Sequence, residues 1–191
     1  QKASDRELIK PEKSSQSEET IRLKDGRDMC VYLTPDSKVV LDRVLRILSA
    51  AQKRVKVAMF TFSHTDIAKK LIELHDSKKV RVTIILDQSQ VRKGFSRAYT
   101  QLKAANVPVF VNKAKLPKYE FPMMHHKFCF IDDKLFMHGS LNWTQQAFQQ
   151  NHDLMSVALI QSPEQVKKIN SMWEGLMQNT ERNFIYNPLA W

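Results

Sequence analysis

Between Met124 and Asn142 the chain spaces its reactive groups in a pattern with chemical meaning: His125, His126 and Lys127, then Asp132, then Gly139, Ser140 and Asn142. Side chains on a strand alternate between faces, so His125 and Lys127 share one face while His126 points away. An imidazole therefore stands beside a fixed positive charge. Gly139 lets the backbone approach closely after the following strand, and Ser140 and Asn142 bring short polar donors to the end of the sheet. Breaking a phosphodiester requires a nucleophile, a proton donor for the leaving oxygen, and cations or donors around the non-bridging oxygens. His125, Lys127 and Asn142 supply all but the second acid. No carboxylate cluster suited to a pair of magnesium ions lies nearby, which favours chemistry carried by side chains, with no metal and no cofactor.

These residues need a rigid sheet behind them, and the flanking sequence provides one. Met29–Leu33, Val55–Phe62, Val80–Leu86 and Val107–Val111 are apolar, β-prone runs. Between them, residues 38–52, 66–75 and 96–105 place apolar positions at helical spacing. Strands without a polar face are buried on both sides, so the pattern predicts a single-domain α/β/α sandwich around a central mixed, largely parallel sheet. Beyond the motif, Lys127–Ile131, Leu135–His138 and Leu154–Ile160 read as strands. Pro163–Met177 reads as a closing helix with Val166, Ile169, Met172, Trp173 and Leu176 inward. Residues 1–28, rich in Lys, Glu, Ser and Asp, read as a polar arm or linker ahead of a catalytic domain spanning 29–191.

The 191 residues suffice for one core, and a formal net charge of +10 draws polyanions, nucleic acid and anionic lipid surfaces alike. Two cysteines, Cys30 and Cys129, do not make a disulfide framework or a four-ligand zinc site. No apolar run approaches the roughly 18 residues of a membrane span. The chain starts at Gln1, and any anchor or targeting segment would lie upstream of it.

The pattern His125-x-Lys127-x4-Asp132-x6-Gly139-Ser140-x-Asn142 resembles the HKD motif of the phospholipase D superfamily. The surrounding Met124-His125-His126-Lys127-Phe128 and Gly139-Ser140-Leu141-Asn142-Trp143-Thr144 resemble its mitochondrial cardiolipin hydrolase branch, also called Zucchini, over about Val55 to Trp173. The resemblance implies a homodimer, because one chain holds one motif and a two-fold axis brings identical residues face to face. It implies that His125 attacks phosphorus, giving a phosphohistidine, and that His125 of the second copy protonates the leaving oxygen. Lys127, Asn142 and Ser140 would hold the phosphate, and Asp153, where the branch has Glu, would accept a hydrogen bond from His125. Asp132 and Gly139 would be structural within the motif. Many relatives also carry a zinc finger, for which no ligands occur between Cys30 and Val55.

By the same resemblance the substrate is single-stranded RNA in PIWI-interacting RNA biogenesis, with cardiolipin as the alternative and an idle RNA-binding scaffold as a third reading. The resemblance alone also implies the mitochondrial outer membrane facing the cytosol, through an N-terminal anchor absent from the chain. Arg92, Lys93, Lys113, Lys115 and Lys118 are candidates to line a groove for a nucleic-acid backbone, although simple solvation explains them as well. His126 reads as a core or supporting histidine. His64, His75 and His152 read as surface or packing residues, His138 as a strand residue, and Trp143 as packing beneath the site.

Overall fold

A computed structural model describes residues 5–9, 18–22, 28–35, 37–92, 96–113 and 123–182. Helix α1 (Asp5–Leu8) and strand β1 (Glu18–Arg22) precede β2 (Asp28–Leu33) and α2 (Ser37–Ser49). Then come β3 (Arg54–Met59), α3 (Thr65–Asp76), β4 (Arg81–Asp87), α4 (Gln88–Arg92), α5 (Arg97–Ala104) and β5 (Val109–Asn112). The remainder is β6 (Lys127–Ile131), β7 (Leu135–Gly139), α6 (Gln145–Gln149), β8 (Leu154–Leu159), α7 (Pro163–Met177) and β9 (Thr180–Arg182).

The strands form one sheet in the order β1-β2-β8-β7-β6-β3-β4-β5-β9. It is mixed, as expected, but parallel pairing is confined to β3–β4 and β4–β5, and every other neighbouring pair is antiparallel. The expectation of a largely parallel sheet is corrected here. The apolar runs report burial on both faces, and burial alone does not fix strand direction. Only the helices α3 and α4–α5 make the crossovers that parallel neighbours need.

One sheet face packs under α2, α3, α5 and α6, with Val55, Val57, Met59, Cys129 and Met137 meeting Val44, Ile47, Ile67, Leu71 and Phe148. The other face meets α7, where Trp173 packs with Ala58, Ile85, Met124 and Phe128. Helix α7 begins where its sequence signals place it. Ser162 caps it by accepting from the Gln165 N–H, with a proline in the first turn.

The arm is more than a linker. Strand β1 pairs with β2 along its whole length, and Leu8 and Ile9 are buried in the core, with Arg43 donating to the Leu8 carbonyl at 3.1 Å. The charged composition of Glu18–Arg22 hid a strand that is held by backbone bonds at a sheet edge. Cys30 and Cys129 are buried, and burial drives the Cys129 thiol far above its ordinary range, leaving it inert.

Candidate active site

Strand β6 runs antiparallel to β3, so its start lies beside the end of β3. Lys127 opens β6 opposite Met59, on the face that carries Cys129 and Val57. His125 precedes it and is exposed. The Lys127 Nζ lies 3.2 Å from Nδ1 and 3.4 Å from Nε2 of His125, and donates to the His125 carbonyl at 2.9 Å. Partial burial pushes the Lys127 ammonium down from its ordinary value, and the negative charge of Asp153 pulls part of the way back. His126 turns to the opposite face, its ring 5.8 Å from that of Phe128. Burial, then the charges of Lys127 and His125, hold His126 below the usual histidine range.

The second half of the motif is fixed by the turn after β7. The Gly139 φ is 153°, and a Cβ there would lie 2.0 Å from the Leu154 carbonyl oxygen, so only glycine lets β7 and β8 close at this point. Next to it, the Ser140 N–H donates to that same carbonyl at 2.9 Å. Its hydroxyl donates to Asp153 Oδ1 at 2.6 Å and accepts from the Leu154 N–H at 3.0 Å. Asn142 accepts from the Thr61 N–H through Oδ1 at 3.3 Å, which leaves its amide nitrogen as the donor for an anionic oxygen.

The expected bond from His125 to Asp153 is not made. The Asp153 carboxylate instead accepts from the Ser140 hydroxyl. Thr34 fixes the backbone there: it accepts from the Asp153 N–H at 2.9 Å and donates to the Asn151 carbonyl at 2.8 Å. Asp132 sits at the far end of β6. Its carboxylate accepts from the N–H groups of Gln52, Lys53 and Arg54 at 2.7–2.8 Å, closing the connection from α2 to β3. Trp143 is buried edge-on against Phe62, with ring centroids 5.3 Å apart.

Among the groove candidates, Lys113 forms an ion pair with Glu181 and is not a free cation. The Arg92 side chain and all of Lys93, Lys115 and Lys118 lie outside the described residues. His64 is buried against Phe148, His138 hydrogen-bonds Ser156 at 3.1 Å, and burial lowers the pKa of both. Among the described residues no group of three or more His, Cys, Asp or Glu could hold a metal ion.

Two contributors escape a motif search. The Phe60 ring lies 4.5 Å from that of His125 and 5.3 Å from the Lys127 ammonium. Thr61, which holds Asn142, donates through its hydroxyl to Gln90 Oε1 at 3.3 Å. Both follow β3, and the rule that sites gather beyond the carboxyl ends of parallel strands would have marked them.

Residues 44–177 match the family model described as cardiolipin synthase, PLD-like domain. The chain belongs to the phospholipase D-like family. Among its relatives is the mitochondrial cardiolipin hydrolase of Chlamydomonas reinhardtii, 32% identical over 151 residues, covering 78% of this chain and 62% of that protein. The mouse protein of the same name is 31% identical over 156 residues, covering 80% of this chain and 66% of its own. The chain thus spans a little under two thirds of these phospholipase D-like relatives. The fold is shared with Nuc of Salmonella typhimurium, a phospholipase D family member, at a TM-score of 0.69 and 18% identity, over 83% of this chain and 99% of that one. NucT of Helicobacter pylori has a TM-score of 0.68 and 23% identity, over 81% and 98%.

Proposed function

We propose that this phospholipase D-like chain hydrolyses phosphodiesters as a homodimer, without a divalent ion, and cleaves single-stranded RNA. One observation carries the reading: an exposed imidazole with an ammonium 3.2 Å from its ring nitrogen, the one such pair among the described residues. A phosphate entering the site draws the Lys127 ammonium onto its own oxygens and releases the His125 lone pair. The imidazole attacks phosphorus, the bond to the leaving oxygen breaks, and the second copy's imidazolium hands that oxygen a proton. The same base then takes a proton from water, which attacks the phosphohistidine and frees His125. Lys127, Ser140 and Asn142 stabilise the charge on the non-bridging oxygens.

The surface near the motif supports pairing. Met123 is 55% exposed, Leu33 47% and Leu154 43%, and the last two are cross-strand partners adjoining Asp153. A second copy seated there would cover this apolar rim. Phe60, half-buried beside His125, offers a face on which a base can stack, and the net charge of +10 attracts the backbone. Involvement in PIWI-interacting RNA production and residence on the mitochondrial outer membrane belong to the same proposal, and of these the relatives' names support the mitochondrial location alone.

Cardiolipin is a second reading, favoured by those relatives' names and by the apolar rim, which suits an acyl surface as well as a second copy. Labelled single-stranded RNA and cardiolipin vesicles, each with excess chelator, separate the two. RNA cleavage is expected to survive chelation and to fall at least about 10⁴-fold in His125→Ala. Activity only on vesicles moves the assignment to lipid, and a strict need for added magnesium refutes the mechanism.

A further inference from the structure

Asp87 ends β4 and is fully buried, although β3 separates β4 from the motif strand β6. Its Oδ1 accepts from the Ser89 N–H at 2.8 Å, which starts the short helix α4. Its Oδ2 reaches past the end of β3 and accepts from the Met124 N–H at 2.7 Å. Met124 is the residue before His125 and is itself buried against Phe128 and Trp173. On the other side of His125, the His126 carbonyl accepts from the Phe60 N–H at 2.8 Å. The backbone of His125 is thus pinned from both flanks.

These two pins differ in kind. The Phe60 bond continues a sheet ladder and would be made by almost any residue. The Asp87 bond is made by one side chain, and a buried carboxylate is retained only where its oxygens are used. Thr61, Gln90 and Ser89 extend the same arrangement: Gln90 bonds the Ser89 hydroxyl at 3.1 Å and accepts from Thr61, which holds Asn142. The ends of β3 and β4 therefore fix both halves of the motif. Hydrogen bonds, joined through the covalent frames of Asp87, Ser89, Gln90 and Thr61, link the residue before His125 to Asn142.

We infer that Asp87 is a positioning residue for the phosphodiester reaction, setting the placement of His125 through the Met124 N–H. Asp87 touches no reacting atom. Its effect falls on the geometry of attack, where a displacement of about 1 Å can cost on the order of 100-fold in rate. The inference rests on His125 being the nucleophile, as proposed above.

The test uses the full chain and bis(p-nitrophenyl) phosphate, with kcat, KM and the ring ¹³C resonances of the histidines as readouts. Asp87→Ala, which removes both acceptors, is expected to lower kcat about 100-fold and to leave KM within about two-fold. Asp87→Asn keeps the shape but has one acceptor for two N–H donors, and a loss of about ten-fold is expected. The His125 resonance shifts in both variants, while that of His75, near the end of α3, does not. Leu102→Ala, on the buried face of α5, supplies a destabilised control and is expected to keep both kcat and the His125 resonance.

Should the alanine variant fail to fold, Asp87→Asn decides alone. A parental kcat with an unmoved His125 resonance overturns the inference, and so does an equal kcat loss in Leu102→Ala. His125→Ala separates the two layers. Should it stay active, the mechanistic reading falls, whereas an inactive His125→Ala beside a fully active Asp87→Ala removes only the role of Asp87.

Discussion

Strand β6 carries the motif at both ends, and the two ends are built on opposite terms. At its start, His125 is exposed and its ring has Lys127 and Phe60 for neighbours, groups that a substrate can displace or stack upon. Just past its end, Asp132 holds a left-handed backbone conformation at φ 53°, and both oxygens of its carboxylate are engaged by backbone, three N–H groups in all. A single spaced pattern therefore encodes a reactive end open to a ligand and a scaffold end committed to the backbone. Open donors are what binding requires, and committed ones are what rigidity requires.

Lys127→Met tests the reactive end most severely after loss of His125 itself. A loss of about 10²–10³-fold in kcat is expected, since a preorganised cation at the phosphate disappears. Its melting temperature should hold or rise, because a partly desolvated charge is removed as well. A large fall in melting temperature with kcat intact would dissolve the distinction between the ends. Asp132→Ala probes the other side. It should cost about 2–3 kcal/mol of unfolding free energy by denaturant titration, while kcat below the transition stays within about two-fold.

The smallest effect sharpens the comparison inside the reactive end. The proposed mechanism needs the Lys127 ammonium, so activity should fall as pH rises through a pKa below the ordinary 10.5. Asp153 raises that pKa, so Asp153→Asn, whose carbonyl can still accept from Ser140, moves the alkaline limb to lower pH. A pH–rate profile in which the limb stays put or moves upward would remove Asp153 from the electrostatics of Lys127.

The closeness of His125 and Lys127 was legible in the sequence because residues two apart on an extended chain project to one side, although His125 itself lies ahead of β6. The same holds for α7, whose Ser162 cap and Pro163 announce its start. Strand β1 was hidden because Glu18–Arg22 is held by the backbone of β2 and not by an apolar pattern. Strand direction was misjudged because β6, β7 and β8 look as apolar as β3 and β4 do. The Ser140 partner of Asp153 was hidden because it depends on how the turn after β7 meets the start of β8. The bonds that join Asp87, Thr61 and Gln90 to the motif left no local spacing to read, since they link residues 29–81 positions apart, and the place of Phe60 and Thr61 after β3 was the one signal available.

Gly139 carries a lesson for anyone transplanting this motif into another protein. Its missing side chain reserves the space where a Cβ would stand 2.0 Å from the Leu154 oxygen. A recipient given all the motif residues but a wider gap between its two strands would display the right letters with Ser140 and its carboxylate partner out of reach of each other. The motif is therefore a specification of backbone separation as much as of residue identity.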